Sequence, residues 1–311
     1  MANQIITICL KPISMTEWHL TLFDLTNVEL KSKMEHDLKT LNDYFSSNCL
    51  SLNFDKTNFI IFYLKQKSSH IFDQIKCNGF VVKRVESTRY LGLQISSNLT
   101  WNDHISIVKR KIVPIIGVLR RVGYTIPPYL RYKLYFSYIH SNLIYLIQIW
   151  GSASKELIKD LQVLQNKALK AIKCLPPLTS TKLLYDDHLL PVNCLIEYEY
   201  IMTIYKIRQE LLKCNLRMQT NLTVTERITR NALNYRLPNY RFSTTQNSIF
   251  YRGFDLFNRL EDANKNIKIS DFKLFLKNLL YRKFLNYYNG LRIFFVLTIF
   301  YCFLLLLLFC T

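Results

Sequence analysis

Acidic residues are scarce in this chain of 311 residues, in which 22 Asp and Glu stand against 41 Lys and Arg. The shortage is uneven along the chain. Residues 1–100 hold 11 basic and 9 acidic side chains, a net charge of +2, whereas the remainder holds 30 and 13, a net of +17. A surplus of positive charge attracts polyanions. The charge therefore favours nucleic acid as a partner, with a membrane surface or a merely solubilising face as the alternatives.

Signals for zinc binding and for secretion are also missing. The eight cysteines form no C-x-x-C pair and no Cys/His cluster with metal-ligand spacing. Residues 1–25 lack the basic start and apolar core of a signal peptide, so the expected location is the cytosol or the nucleus. The cysteines are accordingly expected to be reduced and mostly buried. Half of the residues are apolar and 14% are aromatic, which excludes an intrinsically disordered chain.

The first hundred residues read as a helix followed by strands. Apolar residues recur every three or four positions over 27–45, which predicts a helix. The β-branched and aromatic run at 58–63 predicts a strand, and Asn78-Gly79 between apolar residues predicts a type I′ hairpin. Residues 90–95 predict a further strand. A small antiparallel sheet is therefore expected over residues 58–96.

From Trp101 onward the pattern is helical. The mostly apolar stretch 129–150 fits one buried helix, two helices broken near Ser141-Asn142, or a membrane span. The charged residues Arg131 and Lys133 inside it favour a protein core. The other predictions are an amphipathic helix over 157–172, a helix over 195–214, a basic loop or linker over 215–250 and a basic helix over 269–288.

The C-terminal tail at 293–310 contains 18 residues interrupted only by Thr298, which is the minimum for a transmembrane helix. Arg282, Lys283 and Arg292 precede it, so a tail anchor would leave the N-terminal side in the cytosol. The alternative is a low-complexity extension without a role.

Six short strings carry a family resemblance when they are taken in order. They are N-x-L-x-L-N-x-x-K-T at 48–57, Tyr90-Leu91-Gly92, L-T-W-x-x-H-I at 99–105, Trp150, Leu164-Gln165-Asn166-Lys167-Ala168-Leu169 and Leu189-Leu190-Pro191-Val192. Over roughly residues 20–285 the chain resembles the C-terminal part of the reverse transcriptases of non-LTR (LINE, jockey-like) retrotransposons. Each string alone is weak, because short strings recur by chance.

The resemblance implies an α+β fold, with a small antiparallel sheet as a palm remnant, followed by a mainly α-helical thumb and C-terminal region. The implied divisions are a partial palm at 1–96, a helical thumb at 97–175, a basic helical region at 176–290 and the hydrophobic tail at 291–311.

The resemblance also assigns roles to particular residues. Lys56 matches a lysine beside the incoming nucleotide, where an ammonium assists the departing pyrophosphate. Tyr90-Leu91-Gly92 matches a turn that presses on the primer backbone. Phosphate contacts from the thumb are expected from Lys109, Arg110, Lys111, Arg120 and Arg121.

Each of these assignments has a plainer alternative. Lys56 can be an ordinary loop lysine, Gly92 can serve a bulge, and the five cations can only solubilise their helix. Trp101 and Trp150 are expected in the core rather than as base-stacking platforms, and His104 is expected to be a hydrogen-bonded helix residue.

The acids needed for nucleotidyl transfer are missing. A polymerase holds two Mg²⁺ ions on clustered carboxylates, and the resembled family supplies two adjacent aspartates from a hairpin a few tens of residues before Asn48. Only Phe23-Asp24-Leu25-Thr26 lies near that position. The family's early palm strand and fingers would precede residue 1. Tyr185-Asp186-Asp187-His188 imitates the catalytic box but follows the thumb, so its aspartates are interpreted as solvated acids or a helix cap.

The sequence thus predicts a truncated, reverse-transcriptase-derived protein that is catalytically inactive and needs no cofactor. Its expected partner is the backbone of RNA or DNA, bound without sequence preference. Two alternatives stay open: part of an active polymerase whose catalytic half lies upstream, and a tail-anchored membrane protein held through residues 293–310.

Overall fold

The computed structural model describes residues 5–10, 18–23, 27–62, 72–186, 189–213, 219–225, 232–237, 239 and 243–287. These residues form an α+β fold, as predicted. The chain divides into two compact units, residues 1–107 and residues 108–311. The hydrophobic tail, with its predicted transmembrane helix, lies outside the described residues.

The first unit contains two sheets rather than the single antiparallel sheet that was expected. The larger sheet has the strand order β2-β1-β3-β5-β4, and its strands are β1 (Ile5–Leu10), β2 (Trp18–Phe23), β3 (Asn58–Phe62), β4 (Gln74–Cys77) and β5 (Phe80–Arg84). All of its pairings are antiparallel except that of β3 with β5, which is parallel. The smaller sheet pairs β6 (Ser87–Tyr90) with β7 (Leu93–Ser96).

The helix predicted over 27–45 is confirmed as α1 (Asn27–Ser47). Three of the positions that defined its apolar face, Met34, Leu38 and Phe45, are buried. They share one core with apolar residues from three strands of the larger sheet, Phe59, Ile61, Ile75 and Val82. The spacing of apolar residues on one side of the helix is therefore what joins it to the sheet.

Two tight turns test the sequence prediction for this unit, which is correct at the first and wrong at the second. The turn at Asn78-Gly79 is confirmed, since both residues have the positive φ (48° and 82°) that a type I′ turn requires. The continuous strand predicted over 90–95 is wrong. Leu91 (φ 45°) and Gly92 (φ 81°) form a second turn of the same kind, which splits the segment into β6 and β7.

A run of short helices makes up the apolar stretch 129–150. After α2 (Asn102–Val122) come α3 (Pro128–Leu134), a π-helical segment (Tyr135–His140), α4 (Ser141–Ile144) and α5 (Ile147–Trp150). The break lies at Tyr145-Leu146, where Leu146 has a φ of 49°, and not at Ser141-Asn142. Tyr135, Ile139, Leu143, Ile147 and Trp150 are buried, so the stretch belongs to the protein core. Within the described ranges, no helix combines the length and the apolar character needed to cross a membrane.

Three longer helices, with several short ones between them, complete the described part of the second unit. The amphipathic helix is confirmed as α6 (Lys155–Ile172), and the helix predicted from 195 is α7 (Val192–Arg208). The predicted loop or linker over 215–250 is wrong only where two short helices lie in its described part, α8 (Asn221–Thr225) and α9 (Ser243–Gln246). Then follow a π-helical segment (Ile249–Gly253), α10 (Phe254–Asn258), α11 (Asp262–Lys265) and the predicted basic helix, α12, over residues 269–287.

A buried amide ties α6 to the segment that leads into α7. The Gln165 Nε2 donates to the Leu190 carbonyl (2.9 Å) and to the Tyr135 hydroxyl (3.1 Å). Its Oε1 accepts from the Val192 backbone amide (3.1 Å) and the Tyr185 hydroxyl (3.0 Å). Two of the six family strings, at 164–169 and 189–192, are therefore joined by direct hydrogen bonds. The Gln165 hydrogen bonds thus give a structural reason for these two strings to occur together.

Gly123 marks a close approach at the corner between α2 and α3. A Cβ built there would lie 2.6 Å from the Leu119 carbonyl oxygen and 3.2 Å from that of Ala171, and both are backbone atoms. We expect Gly123→Ala to lower the free energy of unfolding by about 1–3 kcal/mol in urea denaturation. Gly117→Ala is the matched control, because a Cβ there meets nothing within 4 Å. In that helical position alanine should stabilise by up to about 1 kcal/mol. A loss of equal size at both glycines would contradict the close approach.

His140 should make the stability of the chain depend on pH. Burial, aided by the Lys277 ammonium, lowers the pKa of His140 from 6.5 to about 4. The unfolded chain therefore takes up the proton at a higher pH than the folded chain. The free energy of unfolding is thus highest above pH 6.5 and decreases as the pH falls towards 4. The expected loss by pH 4 is about 3 kcal/mol, from roughly 1.4 kcal/mol per pKa unit. Urea midpoints at several pH values should fall more steeply for the natural chain than for His140→Gln. Parallel curves would contradict this role.

Candidate nucleic-acid interface

The first half of the N-x-L-x-L-N-x-x-K-T string ends α1. Asn48 Nδ2 donates to the Tyr44 carbonyl (2.8 Å), and Cys49 adopts the left-handed conformation with a φ of 55°. The Leu50 amide then donates back to the Phe45 carbonyl at 2.8 Å. This arrangement satisfies the last carbonyls of the helix and reverses the chain towards β3.

The second half of the string forms a short 3₁₀ turn, Phe54–Lys56. The Asn53 Oδ1 accepts from the Lys56 amide (3.1 Å), and the Thr57 hydroxyl donates to the Asn53 carbonyl (2.8 Å). The Lys56 side chain is exposed, and its ammonium has no hydrogen-bond or ion-pair partner in the described part of the chain. The string's two asparagines and its threonine thus make hydrogen bonds in these turns, whereas no such bond of the Lys56 ammonium is found within the described residues.

The turn that was predicted to contact the primer lies in the same unit as Lys56. Tyr90 ends β6, and Leu91 and Gly92 form the exposed tip of the β6–β7 hairpin. The Thr88 hydroxyl donates to Asn58 Oδ1 (3.1 Å), which fastens β6 to the start of β3. Asn58 follows Lys56 by two residues, so their Cα atoms lie within about 7 Å. The structure therefore brings two of the predicted site elements into one region.

The L-T-W-x-x-H-I string builds the bend that precedes α2. Leu99 (φ 52°) and Trp101 (φ 62°) both have left-handed backbones, and Asn98 Oδ1 accepts from the Thr100 amide and hydroxyl (3.2 and 2.9 Å). His104 Nδ1 accepts from the Gln94 amide at 3.4 Å, as a hydrogen-bonded helix residue should. Trp101 is buried, and so is Trp150, which confirms the prediction that both belong to the core.

Of the five predicted phosphate-binding cations, one forms an ion pair with an acidic side chain and four have no ion pair within the described residues. Lys109 forms an ion pair with Asp160 at 2.5 Å, so it is less available than the sequence suggested. Arg110, Lys111, Arg120 and Arg121 are exposed and have no ion pair within the described residues. Arg110 and Arg121 are eleven residues apart and lie on the same side of α2, about 16 Å from each other. The cations therefore stand as two pairs, one towards each end of the helix.

The surroundings of α2 in the sequence strengthen its positive field. Residues 104–155 contain eight Lys and Arg but no Asp or Glu. Neutralisation of this stretch has to come from elsewhere, as it does for Lys109. The net charges of residues 1–100 and of the remainder do not reveal this stretch, because the second of them averages it with the acidic residues that follow. Such an acid-free segment is an electrostatic footprint for a polyanion.

Only some of the aspartates considered as metal ligands lie within the described residues. Asp24 and Asp187 lie outside the described residues, and within those residues no group of three or more His, Cys, Asp and Glu side chains is arranged to hold a metal ion. Asp186 accepts from the Leu189 amide at 2.9 Å and lies 3.7 Å from the Lys173 ammonium. Its oxygens thus serve a turn and an ion pair, and it does not cap α7, which begins at Val192.

The comparisons with known proteins agree with the resemblance at a coarser level. The chain is 28% identical over 146 residues to the protein described as "Probable RNA-directed DNA polymerase from transposon BS" of Drosophila melanogaster. The match covers 46% of this chain and 16% of that protein. No family model matches the chain, and no solved structure does. The chain therefore contains a region related to a transposon reverse transcriptase.

Proposed function

We propose that this chain is a palm-and-thumb remnant of a non-LTR retrotransposon reverse transcriptase that binds nucleic-acid backbone without polymerising. The observation that carries the proposal is α2, which follows the turn at Leu91-Gly92 in the chain. It displays four exposed cations, Arg110 with Lys111 and Arg120 with Arg121, that have no ion pair within the described residues. Guanidinium and ammonium groups on an exposed helix contact phosphates rather than base edges, so binding is independent of sequence. The proposed location is the cytosol or the nucleus, where such partners occur.

The Lys56 region supports descent from a polymerase. In the resembled family the matching lysine serves chemistry, and here Lys56 is held at a defined turn with an exposed side chain whose ammonium has no ion pair within the described residues. We therefore assign Lys56 an ancestral role beside the nucleotide, and the tip of the β6–β7 hairpin an ancestral role at the primer.

The absence of polymerase activity is proposed from the hairpin that precedes α1. Strands β1 and β2 pair antiparallel, and the hairpin ends some 25 residues before Asn48, where the family places its adjacent aspartates. The residues joining them, 11–17, include Glu17 and no aspartate. The one Asp-Asp pair in the sequence is at 186–187. Paired Mg²⁺ ions need several clustered carboxylate oxygens, and this hairpin offers too few of them.

A salt series tests the binding directly. A fluorescent RNA–DNA hybrid should bind the full chain at 50 mM salt, and the logarithm of its affinity should fall linearly with the logarithm of the salt concentration. Two hybrids of the same length and unrelated sequence should bind equally well. Absence of binding at low salt, or an affinity that ignores salt, would remove the basis of the proposal.

A further inference from the structure

The corner between α2 and α3 displays two tyrosine rings to solvent. Tyr124 is 82% exposed and Tyr129 is 65% exposed. Tyr124 lies two residues beyond the end of α2, and Tyr129 is the second residue of α3. Rings of this size usually bury their faces, so a pair left open on one corner is available for contact with a partner.

Cations stand around these rings. Arg120 and Arg121 occupy the last turn of α2, and three residues from Arg121 to Tyr124 span no more than about 11 Å. The Lys133 ammonium lies 5.6 Å from the centre of the Tyr129 ring. The corner also falls within the acid-free stretch 104–155. A ligand that fits it should therefore combine negative charge with flat aromatic faces.

The backbone of the corner is held in place from below. Gly123 approaches the Ala171 carbonyl at the end of α6 so closely that a Cβ would lie 3.2 Å from it. The Thr125 hydroxyl and the Ile126 amide both return to the Val122 carbonyl, at 2.8 and 3.2 Å. The Arg131 guanidinium donates to Cys174 Sγ just beyond α6. A fixed frame lowers the entropy that is lost when a ligand is bound, which favours the corner as a site.

We infer that this corner, formed by Arg120, Arg121, Tyr124, Tyr129 and Lys133, is a binding platform for single-stranded nucleic acid. Tyr124 and Tyr129 stack on two unpaired bases, and the three cations contact the adjoining phosphates. The bases of a duplex already stack on each other and present no free face, so the rings select single strands. The inference rests on the proposed function in taking nucleic acid as the partner, and it adds a single-strand site that shares Arg120 and Arg121 with the duplex contacts of α2.

Fluorescence anisotropy with a labelled twelve-nucleotide oligo(dT) and a labelled duplex of equal length tests the platform in the full chain. Tyr124→Ala and Tyr129→Ala should each weaken oligo(dT) binding about tenfold, from the typical contribution of one stacked base. Duplex binding should stay unchanged in both variants. Tyr124→Phe and Tyr129→Phe keep the ring face and should bind oligo(dT) like the natural chain. Tyr44→Ala, which removes a ring 57% exposed on α1, is the matched control and should change neither affinity.

The salt dependence separates stacking from charge. The tyrosine variants should keep the natural slope of log affinity against log salt. Arg120→Gln should reduce the oligo(dT) slope by about 0.7, the contribution of one single-strand phosphate contact. Circular dichroism should show all variants folded.

Each other outcome has a distinct meaning. If the alanine variants bind oligo(dT) as tightly as the natural chain while the duplex is still bound, the platform is overturned and the proposed function stands. If the natural chain binds neither probe, both are overturned. If the variants instead lose binding to anionic phospholipid vesicles and keep oligo(dT), the corner is a membrane contact and the inference fails.

Discussion

Replacing Arg110, Lys111, Arg120 and Arg121 together by glutamine should lower the affinity for an RNA–DNA hybrid at 50 mM salt by roughly a hundredfold or more. The physical reason is counterion release, because each phosphate that a cation neutralises sets condensed ions free. At about 0.9 per duplex contact, the slope of log affinity against log salt should become shallower by about 3 to 4. The four side chains are exposed and unpaired within the described residues, so the fold should survive their loss. The measurement is fluorescence anisotropy between 50 and 300 mM salt.

The control for this variant removes the same number of charges from the nearly neutral first part of the chain. Lys31, Lys33, Lys39 and Lys83 are exposed, and their replacement by glutamine lowers the net charge equally. If binding depends on α2, this control should lose much less affinity than the α2 variant. Equal losses would mean that net charge alone governs binding and that α2 is not the interface.

Replacing Gln165 by leucine should lower the free energy of unfolding by about 2–4 kcal/mol, because it leaves buried polar groups without partners. The Leu190 carbonyl and the Tyr135 hydroxyl would lose the Gln165 amide, to which each now bonds. The Val192 amide would keep a bond of 2.8 Å to Gln162 Oε1, which limits the loss. Urea denaturation followed by the fluorescence of buried Trp150 gives the value.

Lys167→Leu is the matched control for Gln165→Leu, since it places the same side chain on the exposed side of the same helix. Its unfolding midpoint should stay close to that of the natural chain. If Gln165→Leu also unfolds at the natural midpoint, the amide does not hold α6 to the segment that leads into α7, and the link between the two family strings would need another cause.

The parts of the fold that depend on neighbouring residues were predictable from the sequence. The apolar spacing through Met34, Leu38 and Phe45 gave α1, and Asn78-Gly79 gave its turn, because each signal lies within a few residues of what it determines. The turn at Leu91-Gly92 lies inside a run that the local pattern predicts to be a strand, and only the family resemblance at Tyr90-Leu91-Gly92 indicated a turn there. Leucine at a positive φ is uncommon, and its β-propensity outweighed the glycine that follows it.

Features that depend on distant residues were not predictable. Strand β1 (Ile5–Leu10) is a short apolar run without alternation, which periodicity cannot distinguish from a helix, and its partner β3 lies some fifty residues along the chain. Gln165 is a polar residue whose burial the sequence does not indicate, and it is buried because Leu190 and Val192 supply hydrogen-bond partners. Lys109 appeared as free as Arg110 until the structure brought Asp160 to it. Each case turns on a contact that the linear sequence does not display.

Primer extension is the measurement that tests the central claim most directly. The purified full chain is given a labelled DNA primer on an RNA template at 50 mM salt, with all four deoxynucleotides and either Mg²⁺ or Mn²⁺, and one gel records both the shifted complex and the primer length. The account predicts a bound primer that is never lengthened. Addition of even a few nucleotides by the chain alone would show that it carries a working metal-binding carboxylate set, and would contradict the account.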